Sequence, residues 1–210
     1  MTEVKQDGRD TRWESHRAKR REELVSHALR AIRSQGAGIG MEEIAARAGT
    51  SKTVIYRHFG DRAGLYAAVV ASVHAYIHEG LTATLEDSEA ADLTALVAEL
   101  ADTYLRLVEQ DPEIYRFTLH RPARADDDSL DPAGSLTAMI SEHIGVALGE
   151  RLVLAGRDAA PAETWAHGLV GFIRAAADHW MATDPRPPRD TVVAQITDLF
   201  APAFTEAMRH

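Results

Sequence analysis

Apolar residues recur at three- and four-residue spacing along nearly the whole chain, and nowhere do they alternate convincingly with polar ones. Side chains three and four apart share one face of an α-helix, whereas a half-buried strand repeats every second residue. A chain patterned in this way is confined to helix-on-helix packing, so the expected fold class is all-α, with about nine helices.

The breaks between periodic runs place the helices. The polar residues 1–14 read as a disordered arm. A helix follows over Ser15–Ser34, with Leu24, Ala28, Leu29 and Ile32 on one face, and Gly36–Gly40 ends it. Short helices over Met41–Ala48 and Lys52–Phe59 come next, separated by Gly49 and a capping Ser51. Gly60-Asp61 opens a long helix from Arg62 to about Leu81. Further helices read as Asp92–Gln110, Pro112–Leu119, Ser135–Ala155, Ala160–Thr183 and Arg189–Met208. Residues 121–134 read as a loop, and Pro202 is expected to kink the last helix.

Charge divides the chain. Residues 1–66 hold 13 Lys and Arg against 9 Asp and Glu, while the remainder holds 10 against 23, so a basic head joins an acidic body. That asymmetry fits a nucleic-acid-binding segment attached to something that is not one. With no cysteine, disulfides and thiolate sites are excluded. No stretch has the length to span a bilayer and none reads as a signal peptide, so the expectation is a cytoplasmic protein without a membrane partner.

The basic head contains a helix-turn-helix pattern over 41–59. Small Ala45 and Ala48 permit close approach of the second helix, and Ile55 and Phe59, one turn apart, face inward. Lys52, Thr53, Tyr56 and Arg57 are left on the outer sides, where a recognition helix meets the major groove.

These residues carry a resemblance. Ile44, Ala45, Ala48, Gly49, Ser51, Ile55, Tyr56, His58, Phe59, Asp61 and Leu65 stand where the TetR/AcrR (tetracycline-repressor-like) regulators have their N-terminal pattern. Thr50, Arg62 and Gly40 depart from it, replacing an apolar residue, a lysine and a capping hydroxyl. The resemblance covers residues 17–66 and implies a sequence-specific DNA-binding regulator. It implies that Tyr56, His58 and Arg62 grip phosphates, that Lys52 and Thr53 reach base edges, and that Arg57 does either; Ser51 belongs to the same DNA-facing set. Val54 either touches a thymine methyl or packs under the turn, and Arg17, Lys19, Arg20 and Arg21 lie along the backbone or reach a minor groove.

For the acidic body the resemblance implies a homodimer and a small-molecule effector. Val192, Ile196, Leu199, Phe200, Ala203, Phe204 and Ala207 form the stripe expected at the dimer interface, with Gly168, Gly171 and Ala175 allowing close approach. Tyr104, Phe117, Met139, His143, Trp165 and Phe172 are the candidate effector residues; each also fits as plain core. His143, on the stripe Leu136, Ile140, His143, Ala147, fits best as a satisfied core histidine. The aromatic lining points to a lipophilic effector.

An enzyme is the competing reading and finds little support. Gly36–Gly40 follows a helix rather than a strand and completes no phosphate-loop spacing. His74 and His78 share a helix face at zinc-compatible spacing but lack an intervening glutamate, and Asp126–Asp128 reads as a solvated acidic loop. No cofactor or metal is expected. The remaining alternative is a helical small-molecule-binding protein whose DNA-binding head is vestigial.

Overall fold

The computed structural model describes residues 8–88, 93–119 and 132–207, and every regular element among them is a helix. The order is α1 (Gly8–Gln35), α2 (Met41–Arg47), α3 (Lys52–Phe59), α4 (Arg62–Asp87), α5 (Leu93–Gln110), α6 (Pro112–Leu119), α7 (Pro132–Leu154), α8 (Ala162–Ala182) and α9 (Arg189–Ala207). The expected all-α class and helix order hold. Three boundaries move. α1 begins at Gly8, so the arm expected over 1–14 is helical from its eighth residue, and residues 1–7 lie outside the described residues. α7 begins at Pro132, inside the expected loop, because proline suits a helix's first turn. Residues 120–131, with Asp126–Asp128, lie outside the described residues, as does Met208. α9 continues through Pro202.

The chain divides into two compact units, and the division is not the expected cut after Arg62. The first unit comprises α1–α3, α4 as far as Ser72, and α6 from Glu113; the second comprises the rest of α4, α5, α7, α8 and α9. α6 belongs to the first unit because three side chains tie it there. The Tyr66 hydroxyl donates to the Thr118 carbonyl at 2.7 Å, the Tyr66 and Phe117 rings lie 5.4 Å apart, and Glu113 accepts from the Ala37 N–H.

In the first unit, Leu24, Ala28 and Ile32 of α1 are buried together with Ile44 and Ala45 of α2, Ile55 and Phe59 of α3, and Leu65 and Val69 of α4. In the second, α5 packs along α9 and α7 along α8. Gly145 and Gly149 set the latter approach, since a Cβ at either would stand 3.6 Å from the methyl of Ala166 or Ala162 on α8. Arg189 at the start of α9 fastens that helix to α5, donating to Asp102 at 2.7 Å and Glu109 at 2.8 Å. The hydrogen bond from Asp102, then that from Glu109, raises the guanidinium pKa further. The turn between α8 and α9 is closed by the Trp180 indole, which donates to the Pro187 carbonyl at 2.8 Å under the Arg186 guanidinium.

Candidate nucleic-acid interface

α3 is a rigid, separately bounded element, and local chemistry explains why. Gly49, with φ +59, makes the turn from α2 in a region that favours glycine. Ser51 is extended, and its hydroxyl accepts the Val54 N–H at 3.4 Å, which caps the helix start. Gly60, at φ +82, closes the other end through its N–H to the Tyr56 carbonyl. Asp61 then accepts the Gly64 N–H at 2.8 Å to open α4. With Ile55 and Phe59 buried, the orientation of the remaining positions is fixed: Ser51, Lys52, Thr53 and Arg57 are exposed, and Val54, Tyr56 and His58 are half-buried.

The side chains expected to meet DNA are therefore displayed together. Lys52 lies 5.8 Å above the Tyr56 ring and pairs at 3.4 Å with Glu42 of α2, a solvent-screened contact worth about 0.2–1 kcal/mol. Arg17, Lys19 and Arg62 are exposed, while Lys52 and Arg20 carry carboxylate partners, the latter through Glu23 at 2.9 Å. That hydrogen bond holds the Glu23 carboxyl below its ordinary pKa, despite a small opposing effect of desolvation.

Arg21 departs from the expected group. Its guanidinium donates to the His58 carbonyl at 2.6 Å and stacks 4.4 Å from the Phe59 ring centre. A cation at the C-terminal carbonyls of a short helix is favourable, so Arg21 fixes α3 rather than lying free for the backbone. His58 itself has its pKa lowered, first by burial and then by repulsion from Arg57, Arg17, Arg20 and Arg21.

The second unit distributes its candidates differently from expectation. The six effector candidates do not share a cavity. Phe117 belongs to the first unit, against Tyr66. Met139 is 42% exposed, and His143 is exposed rather than core, because the buried stripe of α7 is Ile140, Ile144, Leu148 and Leu152. His143 Nδ1 instead meets His78 Nε2 of α4 at 3.2 Å. Among the described residues no group of three or more His, Cys, Asp or Glu is placed to hold a metal ion. Trp165 and Phe172 join Phe200 and Phe204 in a chain of aromatic contacts across α8 and α9, and Tyr104 is half-buried on α5. The second unit does hold an open groove of about 600 Å³, lined by Tyr76, Gly80, Thr84, Thr103, Arg106 and Leu107, with Glu79, Asp87, Glu99 and Asp102 at its walls. That lining is more polar than the aromatic set expected from sequence, and it contains none of the six.

The stripe expected at the dimer interface is split. Val192, Ile196 and Phe204 are buried within the protomer, so they close the intrachain core. Leu199, 58% exposed, and Phe172, 37% exposed, face outward with Gly168, Ala175 and Ala203, while Phe200 is half-buried. A Cβ at Gly168 or Gly171 would meet nothing within 4 Å, so no described part of the chain covers that face.

Comparison with known proteins gives a consistent picture. The family model for bacterial regulatory proteins of the tetR family matches residues 24–69, and that for the tetracyclin repressor-like C-terminal domain matches residues 81–209. An uncharacterized HTH-type transcriptional regulator of Mycobacterium tuberculosis is 35% identical over 198 residues, covering 93% of this chain and 82% of that protein. A TetR-family transcriptional regulator from Pectobacterium atrosepticum superposes with a TM-score of 0.72 at 22% identity, over 92% of this chain and 96% of that one. FadR from Bacillus subtilis, solved in complex with stearoyl-CoA, superposes with a TM-score of 0.60 at 14% identity, over 85% and 96% of the respective chains.

Proposed function

The chain belongs to the tetR family of DNA-binding transcriptional regulators, not to an enzyme family, and we propose that it acts as a homodimeric repressor released or retained by a small molecule. The observation that carries this reading is the display of Lys52, Thr53, Tyr56 and Arg57 on the outer side of α3, with Ile55 and Phe59 anchoring its inner side. One such helix reads too few base pairs for useful selectivity. Two copies related by a twofold axis read half-sites about one helical turn (~34 Å) apart, or a multiple of it. The outward face carrying Phe172, Leu199 and Ala203 supplies an apolar surface for that pairing.

A ligand that prefers one arrangement of two reading heads shifts operator affinity by its differential binding free energy. The effector belongs in the second unit, where the groove beside Thr84 and Thr103 offers volume for a small molecule. The regulator works in the cytoplasm; among the described residues no helix is long and apolar enough to cross a membrane.

The test is selection of bound duplexes from a random library, then titration of the selected operator by fluorescence anisotropy. Lys52→Ala with Tyr56→Phe is expected to weaken binding at least tenfold at unchanged helicity, with a steep loss on adding salt for the wild type. Recovery of no duplex at all would favour the vestigial-head alternative.

A further inference from the structure

Beside the reading helix lies a basic notch that the recognition surface leaves unused. Trp13 and Arg17 of α1 and Arg57 and His58 of α3 line a cavity of about 420 Å³. α1 runs eleven residues beyond Leu24, its outermost core side chain, which is about 16 Å of helix without a buried face. On that projecting end sits a tryptophan 70% exposed to water. Burial in the protomer accounts for neither the indole nor the length of helix that carries it.

The charges in the notch are also uncompensated. Arg20, Lys52, Arg116 and Arg189 each have a carboxylate partner, whereas Arg17 and Arg57 have none among the described residues. Two guanidiniums and an imidazole around one opening call for an anion, and the guanidinium fork matches a phosphate with two parallel hydrogen bonds. The indole adds an apolar wall suited to a sugar rather than to a bare ion. Arg57 and His58 adjoin the outward face of α3, so whatever fills the notch is continuous with what that helix meets.

We propose that the Trp13–Arg17–Arg57–His58 notch seats one backbone phosphate of the bound duplex, with its deoxyribose against the indole. The outer end of α1 is thereby part of the DNA interface and fixes register beyond the bases that α3 reads. This rests on the DNA-binding reading above.

Methylphosphonate scanning of the selected operator, with full-length protein, tests it. Neutralising one phosphate outside the base-reading site should weaken wild-type binding by roughly tenfold, and this arm needs no variant to fold. Arg17→Gln should lose the response to that one substitution and lower the salt slope by about 0.9. Trp13→Ala should weaken binding several-fold at unchanged slope, since the indole carries no charge. If no such phosphate is found, and both variants bind as the wild type does while Lys52→Ala with Tyr56→Phe still fails, the notch is idle and the DNA-reading role stands. If the wild type itself selects no duplex, both proposals fall together.

Discussion

The carboxylate of Glu113 accepts the backbone N–H of Ala37 at 3.0 Å, across 76 positions of sequence. The start of α6 is thus fastened to the turn that follows α1, and the same carboxylate pairs with Arg116 one turn on. Glu113→Ala removes the acceptor from a part-buried amide, which costs about 1–3 kcal/mol. Glu113→Gln keeps an acceptor oxygen and should cost less. Urea unfolding followed by circular dichroism distinguishes the two, and equal losses would show that the charge, not the amide contact, is what matters.

Lys52 must leave Glu42 to reach a base, because its ammonium is held 3.4 Å from that carboxylate. Glu42→Gln frees the lysine and removes a negative charge beside the phosphates. Duplex affinity should rise by a factor of about two to five at low salt, in line with an exposed pair worth about 0.2–1 kcal/mol. The gain should fade above 0.3 M salt, where screening is nearly complete over such distances. A weaker-binding Glu42→Gln protein would mean that the pair positions Lys52 rather than restrains it.

The helix-turn-helix was legible in the sequence because its determinants are local. Gly49, Ser51, Ile55, Phe59 and Gly60 act on neighbours within one or two turns, so spacing alone exposes them. Contacts between distant positions were not legible. Nothing in the pattern announces that Arg21 caps the carbonyl of His58, or that α6 packs with the first unit. Periodicity likewise reports that a face is apolar without saying what covers it. Val192 and Leu199 lie on one predicted stripe, yet the first is core and the second faces outward. The effector candidates failed to gather for the same reason: aromatic residues on inward-looking faces of separate helices need not point into one space. His143 lay one position away from the stripe that α7 buries.

Gly64 carries a constraint that sequence reading missed. A Cβ there would overlap the Phe59 carbonyl oxygen at the junction of α3 and α4. Backbone cannot yield as a flexible side chain does, so Gly64→Ala should cost about 1–3 kcal/mol. It should also displace the end of α3, and duplex affinity should fall further than stability alone predicts. Thermal unfolding and anisotropy on one preparation measure both. Wild-type values for each would show that the junction accommodates the methyl.

His58 gives two pH dependences of opposite sign. Burial, then repulsion by Arg57, Arg17, Arg20 and Arg21, lowers its pKa in the folded protein. The folded state therefore binds fewer protons than the unfolded state as pH falls below the unperturbed value of about 6.5, and stability contributed by the neutral imidazole is lost in that window. A phosphate seated beside the ring acts the other way and raises its pKa in the complex. Duplex binding then takes up a proton, and affinity should increase as pH falls from 8 to 6, by up to about tenfold per pH unit. His58→Gln should flatten both curves. If the affinity curve keeps its slope in that variant, another group carries the proton.

Assembly is best tested at Leu199, not on the buried part of the same helix. Leu199 is 58% exposed and lies on the face left open beside Gly168 and Gly171, so a charge there spares the protomer core. Phe204→Glu would bury a carboxylate in that core and unfold the chain, and its loss of DNA binding would say nothing about pairing. Leu199→Glu should keep wild-type helicity while sedimenting as one 23.0 kDa chain rather than two. Operator affinity should then fall at least tenfold, because the second head no longer binds as an intramolecular event. A Leu199→Glu protein that stays dimeric would place the pairing surface elsewhere on the second unit. One that is monomeric yet binds with full affinity would overturn reading by paired heads.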